Sequence, residues 1–219
     1  EITTGEQNDL FSSFLYAAMT LSTSLCDGSS CETVLGELTV IGTQFGLHLG
    51  GVTFSSSTSL IQPTCVRDTD QQFRCDSFQG SGTSITVTYV RTDGESIVSS
   101  FDFTAPTIAS YSCSAGSDGD RSNCLTVGGV TITFKGANFG FSTSDMSMYV
   151  EGAECASQAN IGHDQVSCTL PAGPVESSHA DKWDLEVVIG GQNNVYESFH
   201  YAPMTLSTSL CDGSGSSCE

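Results

Sequence analysis

Short runs in which apolar and polar residues alternate recur along the whole chain, and no stretch of helical period interrupts them. The runs "ELTVIG" (37–42), "SITVTYV" (84–90), "VTITFKG" (130–136) and "DLEVVIGG" (184–191) are separated by Gly, Ser and Asp turns. A period of two places alternate side chains on one face of a strand. Aromatic pairs at the same spacing, Phe14 with Tyr16, Phe101 with Phe103 and Phe199 with Tyr201, predict strands whose two rings share a core face. Several such strands in each stretch of roughly 90 residues predict an all-β chain of tandem sandwiches.

The chain also repeats itself. "MTLSTSLCDGS" occurs at 19–29 and again at 204–214, 185 positions later. At the same offset "EITTGEQNDLFSSFLYAA" (1–18) lies over "EVVIGGQNNVYESFHYAP" (186–203) without a gap, with eight of eighteen residues identical. Inside this period a weaker repeat sets the expected domains. Residues 1–18 read as the last strand of a preceding repeat, 19–105 as a first domain, 106–203 as a second, and 204–219 as the first strand and Cys loop of a following repeat. Strands of this kind expose unpaired main-chain groups and apolar faces that need covering. Leu10, Phe11, Phe14 and Tyr16 at one end, and Met204, Leu206 and Leu210 at the other, are the expected assembly residues. Their partner is expected to be another copy of the chain, met head-to-tail, either through covalent continuation or through strand donation.

Ten cysteines fall in consecutive local pairs. Sequence alone leaves connectivity open. A pair that returns at the same place in each repeat, with its spacing changed by insertion, is best explained by sulfurs that meet in every copy. Five disulfides are expected: Cys26–Cys31, Cys65–Cys75, Cys113–Cys124, Cys155–Cys168 and Cys211–Cys218. They imply an oxidising, extracellular or cell-surface location. No Cys-x2-Cys spacing suggests zinc.

The 219 residues carry 6 Lys and Arg against 25 Asp and Glu, for a formal charge of -19. Long-range repulsion therefore opposes nucleic acid and anionic membrane surfaces as partners. No apolar run approaches the roughly 18 residues of a membrane span. Ser (34) and Thr (24) make up a quarter of the chain, and no Asn-x-Ser/Thr sequon occurs. O-linked sugars are the open modification, with Ser55, Ser56, Ser57, Thr58, Ser59, Ser81 and Thr83 as candidate acceptors; solvated Ser-rich loops without sugar are the plainer reading.

One set of residues carries a family resemblance. "GGVTITFKGANFG" (128–140), Cys155, "CTLP" (168–171), "VVIGGQ" (187–192) and "FHY" (199–201) follow one another in the order of the IPT/TIG family of immunoglobulin-like domains, and the match covers nearly all of 106–203. The 19–105 copy departs from the pattern, with Gln44 where the family favours Asn and no Pro after "RCDS". The resemblance implies an extracellular or scaffold module without catalytic residues. Within the motif, Gly136 and Gly140 are expected to permit a bulge or turn, Asn138 to hydrogen-bond nearby main chain, and Trp183 to fill the core between sheets.

No nucleophile elbow, phosphate loop or His-Glu-x-x-His motif is present, so no enzyme is expected. Asp118, Asp120 and Asn123 in "SDGDRSNC" are candidate oxygen ligands for Ca²⁺. Their spacing departs from an EF-hand, Arg121 stands between them, and otherwise no cofactor is expected. The function read from these features is that of a structural repeat in an extracellular filament or stalk, stiffened by near-linkerless junctions and O-glycosylated in its Ser-rich loops. The alternatives are a cell-surface adhesion or receptor ectodomain that binds protein or glycan, and an accessory module of a secreted carbohydrate enzyme.

Overall fold

A computed structural model of the chain describes residues 2–4, 7–9, 19–22, 30–33, 37–43, 45, 50–114, 124–173 and 182–202. Every regular element among them is a strand, and no helix is long and apolar enough to cross a membrane. In chain order the strands are β1 (Ile2–Thr4), β2 (Gln7–Asp9), β3 (Thr20–Ser22), β4 (Ser30–Cys31), β5 (Glu37–Thr43), β6 (Gly51–Ser55), β7 (Leu60–Ile61), β8 (Thr64–Thr69), β9 (Gln72–Asp76), β10 (Gln79–Gly80), β11 (Ile85–Val90) and β12 (Ser96–Phe103). They continue with β13 (Thr107–Cys113), β14 (Thr131–Ala137), β15 (Met146–Val150), β16 (Ala153–Glu154), β17 (Ala156–Gly162), β18 (Gln165–Thr169), β19 (Trp183–Ile189) and β20 (Gln192–Phe199).

Two sandwiches result. In the first unit the sheet β3-β5-β9-β8 packs on β4-β12-β11-β6; in the second, β13-β14-β18-β17 packs on β16-β15-β19-β20. The alternation read from the sequence sets the inward faces. Leu38 and Val40 on β5 and Ile85, Val87 and Tyr89 on β11 are buried in one core; Ile132 and Phe134 on β14 and Leu185, Val187 and Ile189 on β19 in the other. The aromatic pairs Phe101 with Phe103 and Phe199 with Tyr201 are buried as expected. Phe45, Phe73 and Tyr89 pack edge to face or tilted at centroid distances of 4.8–5.2 Å, an arrangement worth about 0.5–1.5 kcal/mol per pair beyond burial. Trp183 is half-buried against the second core and meets the Tyr201 ring edge-on.

The two units share more than a strand order. Thr104 N–H donates to Cys31 O at 2.5 Å, and Ala202 N–H donates to Cys124 O at 2.8 Å, so the chain leaves each unit beside the same Cys loop. Gly80 N–H bonds Thr33 O as Gly173 N–H bonds Thr126 O, and Phe45 N–H bonds Asp70 O as Phe139 N–H bonds His163 O. In the first unit the exit is reinforced by β4, which runs parallel to the end of β12 and pairs Cys31 with Phe103.

Disulfides join Cys65 to Cys75, Cys113 to Cys124 and Cys155 to Cys168. Cys65 and Cys75 are directly opposite each other on β8 and β9, and Cys155–Cys168 links the corresponding edge of the second unit. Cys31 is also disulfide-bonded. Its expected partner Cys26 and the pair Cys211–Cys218 lie outside the described residues.

The hairpin β1–β2 pairs Ile2 with Asp9, Thr3 with Asn8 and Thr4 with Gln7. In β19–β20, Val187 pairs with Asn194, Val188 with Asn193 and Ile189 with Gln192. Each pair of the first set lies 185 positions before its counterpart in the second, so backbone register follows the sequence repeat.

Candidate functional site

The Gly-x-Asn-Phe-Gly stretch that ends β14 builds one side of a joint between the units. At Gly136 a Cβ would collide with the Thr107 carbonyl and crowd the Phe139 ring, and Gly42 meets Thr20 O and Phe45 in the same way. These glycines allow close approach of the entering strand, which bulges between Ile108 and Ser110. Gly136 thus serves the bulge through space rather than through unusual dihedrals, whereas Gly140 has φ +68°. Asn138 lies in the left-handed region at φ 62° and is 6% exposed. Asn is among the few side chains that tolerate that region.

The Asn138 side chain bonds main chain, as expected, but the main chain of the other unit. Its Oδ1 accepts from Thr33 N–H at 3.4 Å. Thr33 Oγ1 accepts from Gly140 N–H at 3.3 Å and lies 3.4 Å from His163 Nδ1. Thr33 is 1% exposed, a burial of a polar residue that the second unit completes. Across the joint Asp145 accepts from the Ser81 hydroxyl and, at 3.2 Å, from Ser59 N–H, while Ser59 and Ser144 hydroxyls are 2.7 Å apart. Gln192 Nε2 donates to Phe103 O at 2.9 Å. Gly82 and Gly190 are in backbone contact, so a Cβ on either would clash with the other unit. A carboxylate that accepts two bonds in a partly buried setting makes charge-assisted contacts, the stronger class of hydrogen bond.

Three residues, Thr104, Ala105 and Pro106, separate β12 from β13. A connection this short, laid against several cross-unit bonds, leaves the units little freedom to swing.

The opposite end of the first unit is ionic. Arg91, 7% exposed, pairs with Asp93 at 2.6 Å and with Glu95 at 2.5 Å, and Arg67 pairs with Asp70 at 2.9 Å. The hydrogen bond from Arg91 holds the Asp93 carboxyl below its ordinary range. Burial raises the Tyr89 phenol, whose hydroxyl donates to Phe45 O, and pushes Tyr201, which donates to Pro171 O at 3.0 Å, up to about 12.

Several expected positions fall elsewhere or are corrected. Asp118, Asp120 and Asn123 lie outside the described residues, as do Leu10, Phe11, Phe14, Tyr16, Met204, Leu206 and Leu210. Among the described residues no three His, Cys, Asp or Glu side chains gather as metal ligands. Ser81 is corrected: it is 3% exposed and its hydroxyl is bound to Asp145, so it cannot accept a sugar in this fold. Ser56, Thr58 and Ser59 are half-buried and tied into hydrogen bonds, and Ser55, Ser57 and Thr83 are exposed. Sequence reasoning missed Thr33, Asp145 and Gln192 as joint residues, since each reads as an ordinary turn polar residue.

Residues 120–202 match the family model of the IPT/TIG domain. Within the second unit the match takes in β14 to β20. Among solved structures, the full extracellular region of plexin A4 is similar at 13% identity and a TM-score of 0.38, over 84% of this chain and 18% of that one. SGBP-B of the Bacteroides ovatus mixed-linkage glucan utilization locus, in complex with a mixed-linkage heptasaccharide, is similar at 14% identity and a TM-score of 0.25, over 78% of this chain and 42% of that one. The tandem Ig repeats of Dlar give 8% identity and a TM-score of 0.21, over 79% and 90%. The chain thus spans less than half the length of the first two of these proteins. No curated protein sequence matches the chain.

Proposed function

We propose that this chain is a structural, non-enzymatic repeat of an extracellular filament or stalk, assembled head-to-tail from IPT/TIG-like units spanning 19–105 and 106–203. The observation that carries this reading is the β1–β2 hairpin, which repeats the pairing of β19–β20 at a distance of 185 residues, the same period at which "MTLSTSLCDGS" returns. The short bonded joint between the units supports a stiff element rather than two independent binding modules. Cys65–Cys75 and Cys155–Cys168 clamp neighbouring strands in the two units and Cys113–Cys124 closes a loop in the second, which suits an oxidising exterior. Ser55, Ser57 and Thr83 remain the accessible acceptors for O-linked sugar.

The test is the mass of native material, fully reduced and denatured, beside its native size by light scattering. Hundreds of kilodaltons in both, with the "MTLSTSLCDGS" peptide in molar excess over unique flanks, establishes a covalent repeat. Large native particles that dissolve to chains near the 22.9 kDa of the single chain establish copies held by donated strands. Native particles that are themselves single chains overturn the filament reading.

A further inference from the structure

The observed joint predicts the face of the next one. In the first unit the residues after the Cys31 loop end in Thr33, which the second unit covers almost completely. The matching residues of the second unit are Leu125, Thr126 and Val127, placed by the paired bonds Gly80 to Thr33 and Gly173 to Thr126, and by the paired exits at Thr104 and Ala202. This second loop is apolar and open: Leu125 is 45% exposed and Val127 is 76% exposed. Val127 is the most exposed of the large hydrophobic residues described, which singles this tip out from scattered surface apolar residues.

We propose that the Leu125–Val127 loop is a docking surface for the first unit of another copy, which packs its end carrying Asp70 and the Arg91–Glu95 turn against it. The proposal rests on the head-to-tail reading above and names the contact that reading requires. Three observations carry it. First, three residues separate Tyr201 from Thr205, as three separate Phe103 from Thr107, and Thr205 repeats Thr20, the first residue of β3. The next unit therefore enters at the same distance from the Cys loop. Second, the end of the first unit that would arrive has the elements that meet Thr33 in the observed joint. Gln44 and Gly46 stand in sequence where Asn138 and Gly140 stand, and Asp70 accepts from Phe45 N–H where His163 accepts from Phe139 N–H. Third, the turn joining β11 to β12 occupies the place of the turn joining β19 to β20, which in the observed joint reaches Gly82 and Phe103. A loop with Thr126 at its centre and two apolar flanks thus faces a turn whose charges are paired internally, leaving the Leu125 and Val127 side chains to be covered by packing.

Hydroxyl-radical labelling, read by peptide mass spectrometry, tests this on native assembled material beside the isolated 219-residue chain. Val127 and Leu125 are expected to be labelled in the isolated chain and protected several-fold in the assembly, while Val195, 41% exposed on the middle of β20, is labelled alike in both. Equal labelling of Val127 in material whose mass proves a head-to-tail repeat would overturn the docking surface and leave the filament reading standing. Native material that is unassembled would overturn both. A chain carrying the 185-residue period twice gives the second measurement: Val127→Asp is expected to broaden its distance distribution in solution scattering, whereas Val195→Asp is not. An unchanged distribution for Val127→Asp would also overturn the proposal.

Discussion

Thr33 and Asn138, 105 residues apart, meet across the joint, the backbone N–H of the first donating to the side-chain oxygen of the second at 3.4 Å. Asn138 does two jobs at once, since it also holds φ at 62°. The two are separable. Asn138→Gly keeps the dihedral and loses the bond, at a net cost of about 0.5–1.5 kcal/mol. Asn138→Ala loses the bond and adds roughly 1–2 kcal/mol of left-handed strain. Denaturant unfolding is expected to rank Ala below Gly; the reverse order would show that the dihedral is not what the position selects.

At Gly136 the argument is one of space. A Cβ there runs into the Thr107 carbonyl, which is backbone and cannot rotate away. Gly136→Ala is therefore expected to cost about 1–3 kcal/mol, the usual penalty of overpacking, and to disturb β13 at its bulge. Gly42→Ala should behave alike in the first unit, where Thr20 O stands in the same place. Amide exchange localises the damage: loss of protection is expected at the β13–β14 and β3–β5 pairings respectively, and uniform loss over the chain would contradict the local collision.

Asp145 offers a way to loosen the joint without touching either core. It receives the Ser81 hydroxyl and the Ser59 N–H from the first unit. Asp145→Ala is expected to leave the strand content of both units unchanged and to widen their relative motion, read as a broader distance distribution in solution scattering of the chain. An unaltered distribution would assign the stiffness to Gln192, Thr33 and the three-residue connection instead.

Tyr201 makes the alkaline limit predictable. Its phenol ordinarily ionises near 10 and is held up at about 12 by burial. Between those values the folded state keeps a proton that the unfolded state releases. The stability contributed by this group is therefore whole below pH 10 and is lost as pH rises through 12. Tyr201→Phe is expected to flatten the fall in stability over that window, and the wild-type absorbance titration to show, besides the raised Tyr89, a late-ionising tyrosine that the variant lacks. Without such a late step, the hydroxyl is not secluded as the bond to Pro171 implies.

The strands and cores were legible because they depend on periodicity. Phe101 with Phe103 and Phe199 with Tyr201 announce an inward face by spacing alone, and burial follows. The role of Gly136 was legible only in part, because a close approach and a turn both select Gly, and the choice between them depends on where Thr107 sits in space. The joint was legible in its shortness and in the main-chain bond of Asn138, but not in the residues that Asn138 and Asp145 meet across it. Thr33, Ser59, Ser81 and Asp145 are the residue types of a solvated turn, and their partners lie 64 to 130 residues away. Ser81 shows the cost of reading composition locally: a Ser in a Gly-rich loop looks open to modification until a second unit covers it.

The parallel pairing of β4 with β12 bears on what happens when the two ends of a unit are pulled apart. The chain enters the first unit beside β5 and leaves it beside Cys31, at opposite ends of the sandwich. Tension then runs along the strands, so that the bonds between β4 and β12 and the Thr104 clasp share the load together instead of opening one after another like a zip. The Cys113–Cys124 and Cys155–Cys168 links shorten what the second unit could pay out if it did give way. In the proposed filament such a unit is expected to act as a tether of nearly fixed length, one that holds until it fails as a whole.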